Sequence, residues 1–182
     1  MTVQHWTTLD LEDMKFTVGM ENFDDWFHRM EARYKELADK YKIIEETENK
    51  ARREKLKQIR NEMPKANIVI GKLPPHIQKA LGTQADSLLF SPDGLAKQLC
   101  EHPELSMAEY RSVFEQINGC QKIYPDKKLH VALILPKDKS TTYRVVLKTT
   151  GRRSEVYLLS LHKMSGDPLD RFMKRLKNKG LL

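Results

Sequence analysis

Cysteine is scarce in this chain: Cys100 and Cys120 are the only two among 182 residues. One pair is no disulfide framework and has no metal-ligand spacing, so a reducing, cytoplasmic setting is expected. Long apolar runs are missing as well. None approaches the ~18 residues that a membrane span requires, so no membrane partner is expected. The opening stretch MTVQHWTTLDLEDMKF carries acids where a secretory signal would have a basic start and an apolar stretch. Also missing are the glycine-rich phosphate loops GxxxxGK[ST] and GxGxxG, the GxSxG elbow and HExxH. The histidines (His5, His28, His76, His102, His130 and His162) are scattered, and none pairs with a cysteine at ligand spacing. Neither a metal nor a cofactor is therefore expected.

Acids run thin where bases accumulate. Residues 1–66 hold 13 basic and 14 acidic side chains, and residues 67–136 hold 7 of each. Residues 137–182 hold 12 basic and 4 acidic ones, so this last quarter carries all of the net charge of +7. A divalent-metal nuclease wants clustered carboxylates, which this half of the chain does not offer. A concentrated positive stripe instead attracts polyanions, nucleic acid above all. A lysine-rich solubilising surface is the plainer explanation of the same charge.

Hydrophobic periodicity divides the chain at about residue 66. Phe23, Trp26, Phe27, Met30, Tyr34, Leu37 and Tyr41 recur at three- and four-residue steps and predict a helix, with Asn22 as its N-cap. The charged stretch EETENKARREKLKQIRNEM continues it or folds back as a hairpin, and Pro64 ends it. From residue 67 the pattern predicts short strands at NIVIG and SLLFS and a helix over LPPHIQKALG. Two capped helices follow, SPDGLAKQLCEH behind Ser91 and SMAEYRSVFEQIN behind Ser106 with Glu109 completing a capping box. QKIYP, LHVALILP, TTYRVVLKTT and EVYLLSLHKM then read as consecutive strands joined by hairpin turns, before a basic amphipathic helix at the end. The expected architecture is α+β. Residues 1–66 form a helical arm, and residues 67–182 form a small domain with helices on an antiparallel sheet of three to five strands. The apolar stripe of the arm suits either a partner, including a second copy of the chain, or packing on its own domain.

Strand alternation orders the remaining chemistry. Arg144 and Lys148 fall on one face of their strand; Ser160 and His162 share a face of theirs, together with Val156 and Leu158. Cleaving RNA without a metal needs a base, an acid and cations, because the 2′-OH attacks the adjacent phosphate. Histidine moves protons near neutral pH, while lysine and arginine stabilise developing negative charge. Each residue also has a plainer role: Arg144 and Lys148 as a solvent face, Ser160 as a cross-strand hydrogen bonder, and Arg152 and Arg153 as turn residues making phosphate contacts.

The succession IVIGKLPPHIQKALG, SLLFSPDGLAKQLCEHPE, SMAEYRSVFEQI, YRVVLKTT and EVYLLSLHKM, over residues 67–164, resembles the barnase–EndoU–colicin–RelE-like nuclease domains encoded by phages. These domains occur at the C-termini of phage head-morphogenesis proteins and in polymorphic toxins. The resemblance implies metal-independent cleavage of RNA, with tRNA among the candidates, by transesterification. It implies His102, Lys97, Lys148 and Ser160 as catalytic residues, with Arg144, Thr149, Arg152, Arg153, His162 and Lys163 as RNA-binding residues. The implied partners are RNA and a protein inhibitor or phage head protein, and the implied setting is the host cytoplasm as a free-standing effector or toxin. A helix C-terminus favours a cation, which suits His102 to the part of acid or phosphate clamp. Two alternatives stay open: a non-catalytic nucleic-acid-binding protein on the same fold, and an ADP-ribosyltransferase-like transferase.

Overall fold

The computed structural model describes residues 23–181. The elements, in chain order, are α1 (Phe23–Tyr41), α2 (Asn49–Glu62), β1 (Ile68–Lys72), α3 (Pro75–Leu81), β2 (Ser87–Phe90), α4 (Pro92–Glu101), α5 (Met107–Ile117), β3 (Ile123–Pro125), β4 (His130–Pro136), β5 (Thr141–Thr149), β6 (Val156–Ser165) and α6 (Gly166–Asn178). The fold is α+β, as the residue pattern predicts. Asn22, the expected N-cap of α1, lies outside the described residues.

Local signals account for most of these boundaries. Lys42, in the left-handed region (φ 51°), breaks the first helical run, so α1 and α2 form a hairpin rather than one rod. Gly82, also left-handed (φ 63°), closes α3. Ser91 caps α4 by accepting from the Gly94 N–H at 3.1 Å, with Pro92 as the first helical residue. Ser106 and Glu109 form the expected capping box of α5, each side chain serving the other's backbone N–H at 3.2 and 3.0 Å.

All six strands join one sheet in the order β1-β2-β6-β5-β4-β3. This is one strand more than the sequence pattern suggests, and the sheet is mixed rather than wholly antiparallel. β3 to β6 form the anticipated meander. β1 and β2 add to its β6 edge, and β2 lies parallel to β6 at Leu88–Val156 and Leu89–Tyr157. The chain between β2 and β6 passes through two helices and three strands before returning, and no local hairpin signal specifies such a pairing.

The β5–β6 register contains an irregularity. Val146 pairs with Ser160 and Leu147 with Leu158, which leaves Leu159 as an extra residue. One face of the sheet therefore carries Tyr143, Val145, Leu147, Val156, Leu158, Leu161 and Lys163. The other carries Arg144, Val146, Lys148, Tyr157, Ser160 and His162. Val156 and Leu158 thus part company with Ser160 and His162, contrary to strict alternation, while Ser160 and His162 stay together.

The first face is the core face. α1 packs there with Phe23, Trp26 and Phe27 against Phe90, Tyr110 and Phe114, with ring centroids 5.1–6.4 Å apart. The apolar stripe offered by the sequence to a partner is covered by this core, which residues 23–66 share with the sheet. The Trp26 indole N–H donates to the Ala66 carbonyl at 2.6 Å. α2 clasps α4 at both ends: Arg60 pairs with Asp93 at 2.9 Å, and Arg52 donates to the Cys100 carbonyl at 3.3 Å. On the second face α6 lays Phe172 and Leu176 over Tyr124 and Ile134.

Glu109 ties the core-side end of the sheet together. It accepts from Lys137 at 2.9 Å, from Lys163 at 3.1 Å and from the Tyr143 hydroxyl at 3.0 Å, besides capping α5. Burial pushes its carboxyl upward, but these donors outweigh that and hold it at about 2.

Two outcomes follow for stability. Phe90→Ala, which removes the ring that α1 and α5 share, should cost about 3–5 kcal/mol in urea unfolding. Glu109 binds its proton less readily folded than unfolded, so its contribution is complete above about pH 4.5 and is lost as pH falls through about 2. Glu109→Gln should therefore lower stability at neutral pH by about 2 kcal/mol, and the acid limb of a stability–pH curve should flatten.

Candidate functional site

The site begins with a gap in the sheet. β2 covers only the first residues of β6, and α4 lies along the edge beyond them. Its Gln98, 0% exposed, donates from Nε2 to the Leu161 carbonyl at 2.9 Å. His102 is four residues further on the same helical face, and its N–H closes the helix on the Gln98 carbonyl at 2.7 Å. That arrangement sets the His102 ring against His162, the neighbour of Leu161. The two imidazoles meet edge to face, with centroids 4.5 Å apart and planes at 80°.

Cations surround this pair. Arg144 stands directly opposite His162 across the strands, and Lys97 is close enough for its charge to act on the His162 ring. Burial first, and then the charges of His102, Arg144 and Lys97, push His162 down to about 4 against the opposing pull of Glu104. Three carboxylates temper the field, and the first, Glu101, lies 3.7 Å from the Lys97 ammonium. Glu104 Oε1 lies 3.3 Å from His102 Nδ1, and Asp126 accepts from Arg144 at 2.8 Å. The Arg144 guanidinium also covers the Phe172 ring, 5.3 Å from its centroid.

Two clefts flank these residues, one lined by His162 and the other by Lys97. One, of about 720 Å³, lies between β6 and α6 and is lined by Arg144, His162, Arg171, Lys174 and Arg175. The other, of about 530 Å³, brings Lys97 and Lys148 together with Arg60 and Tyr157. Ser160, only 7% exposed, shares the sheet face with Arg144, Lys148 and His162.

Of the residues named from sequence, the structure gathers His102, Lys97, Arg144 and His162, and it sets Ser160 and Lys148 on the same face. The others engage the core or the turns, although Lys163 and Thr149 also line the first and second clefts. Lys163 is on the core face with its ammonium on Glu109. Thr149 is buried and donates to the Glu155 carbonyl at 3.0 Å. Arg152 and Arg153 stay in the β5–β6 turn, where Arg153 reaches the Gly82 carbonyl at 3.4 Å. Sequence reasoning did not single out Asp126, Tyr157 or the α6 cations. The α6 cations belong to the basic last quarter and could have been read from it, whereas Asp126 gives no local sign of its partner. Among the described residues no three His, Cys, Asp or Glu side chains gather as a metal ion would require.

No family model, curated protein or solved structure matches this chain.

His162 stays neutral in the fold where the unfolded chain would take a proton, so its contribution to stability falls as pH drops from about 6.5 to about 4. Histidine-ring NMR should find its midpoint near the lower value. His102→Gln should raise that midpoint while leaving it below 6.5, because burial is the larger cause.

Proposed function

We propose that the chain is a metal-independent endoribonuclease of the barnase–EndoU–colicin–RelE-like kind. The observation that carries this reading is the His102–His162 pair at 4.5 Å, with Arg144 and Lys97 acting on His162 and with His162 and Arg144 lining a cleft of about 720 Å³. His162, uncharged at neutral pH, takes the proton of the 2′-OH as its oxygen attacks the adjacent phosphorus. The P–O5′ bond breaks, and His102, acting as the acid, gives a proton to the departing 5′ oxygen. The products are a 2′,3′-cyclic phosphate and a 5′-OH. Arg144 and Lys97 stabilise the charge that grows on the phosphoryl oxygens, and preorganised cations in such a place contribute strongly to rate. Lys148, further along the same sheet face, holds a neighbouring phosphate, and Ser160 packs between the two rows. Two buried free thiols, Cys100 and Cys120, suit a reducing cytoplasm.

A second reading is nucleic-acid binding without chemistry. It is favoured by the carboxylates that already engage His102 and Arg144.

One experiment separates the two. Purified protein is incubated with total RNA in EDTA, and the ends of any fragments are analysed. The nuclease reading expects cleavage with cyclic-phosphate ends, reduced about 10²–10⁴-fold by His162→Ala or His102→Ala, while RNA affinity is kept within a few-fold. Folded wild type that binds RNA in a salt-sensitive way yet never cuts it would establish the binding reading instead.

A further inference from the structure

A third cleft, of about 360 Å³, lies at the far end of the sheet between the end of α3, the β3–β4 turn and the β5–β6 turn. Four cations line it (Lys79, Lys127, Lys128 and Arg153), and no carboxylate does. Asp126, the acid next to Lys127, turns away to Arg144. His130 lines the cleft with both ring nitrogens shielded from solvent and without a partner among the described residues. A shielded, unpaired polar group calls for a ligand or another explanation.

The backbone around the cleft is unusual too. Among the described residues three non-glycine residues have positive φ, and two of them, Leu129 (66°) and Arg153 (57°), line this cleft. Such conformations carry a cost and gather where function holds them. The field is positive: burial foremost, then the Lys148 charge, push His130 below its usual range, with Lys127 acting alongside and Asp126 against.

We infer that this cleft binds a backbone phosphate of the same RNA chain, several nucleotides from the scissile bond. The inference rests on the ribonuclease reading for the identity of the strand. The route is set by strand pairing. His130 pairs directly with Lys148, and Lys148 lines a cleft with Lys97 beside the histidine pair. Arg144 and Lys148 are four strand residues apart, a span of ~13 Å. At ~3.4 Å per nucleotide of stacked strand, that distance takes about four nucleotides. A trinucleotide seated at His162 therefore stops short of the third cleft, and a longer strand reaches it.

The test is binding of uncleavable 2′-O-methyl RNA, one probe a trinucleotide and the other of about 12 nucleotides. Fluorescence anisotropy is read across a salt series for wild type and for the combined variant Lys79→Ala/Lys127→Ala/Lys128→Ala. The longer probe should bind the variant about tenfold more weakly, and its slope of log affinity against log salt should shallow by ~0.7, the loss of one phosphate contact. The trinucleotide should bind both proteins alike, thermal melting should be unchanged, and the Lys→Arg triple variant should restore the slope. An unchanged slope with the longer probe, or equal loss for the trinucleotide, would overturn the inference. So would tripolyphosphate binding that the variant loses while the longer probe is unaffected, which would give the cleft to a small free anion. Cleavage enters none of these readouts. A wild type that never cuts RNA but shows the slope change would sink the nuclease reading and keep the cleft.

Discussion

The bond from Gln98 to the Leu161 carbonyl decides which side chains meet at the edge of β6. A strand edge exposes a row of carbonyls and N–H groups, and burying them unpaired costs stability. β2 stops too early to pair with that part of β6, so α4 takes its place and Gln98 supplies the missing donor. With one side chain fixed to β6, the next turn of the helix has no freedom to choose its neighbour, and His102 comes to rest on His162. α2 holds the same helix from behind through Arg60 and Arg52. The N-terminal hairpin thus helps to aim the imidazole although none of its residues lies beside it.

A second constraint is that the large aromatic core occupies one face of the sheet. Phe23, Trp26, Phe27, Phe90, Tyr110 and Phe114 fill the space between the helices and that face, which leaves the opposite face covered only in part, by α6. Polar and cationic side chains can remain hydrated there. Carboxylates divide the cations into two populations. Glu109 engages Lys137 and Lys163 on the core side, where they serve stability. On the open side Asp126, Glu104 and Glu101 each meet one cationic or protonatable group, leaving positive charge on Lys148 and the turn beyond His130.

Much of the fold was legible because its signals are local. Ser91, Ser106 with Glu109, Gly82 and the hairpin turns each mark a boundary within a few residues, and the structure uses them so. The shared faces of Arg144 with Lys148 and of Ser160 with His162 were also readable. What could not be read depends on contacts distant in sequence. The parallel β2–β6 pairing joins segments separated by several elements. The destination of the α1 stripe depends on Phe90 and Tyr110, far along the chain. The meeting of His162 with His102 is of this kind, because nothing near either residue in sequence announces the other. Lys163 looked like a companion of His162 because the pattern gives no sign of Glu109.

The extra residue at Leu159 can be restated as a matter of parity. In a regular strand, odd and even positions keep their faces from end to end, so residues an even number apart share a face. β6 changes parity once, between Leu158 and Ser160. Before that point the even-numbered residues belong to the core; after it they belong to the open face. A strand without the change would send Leu161 to water and His162 into the hydrocarbon interior, or would have to expose Val156 and Leu158 instead. One residue of surplus length lets a single strand anchor the core at its beginning and present an imidazole at its end.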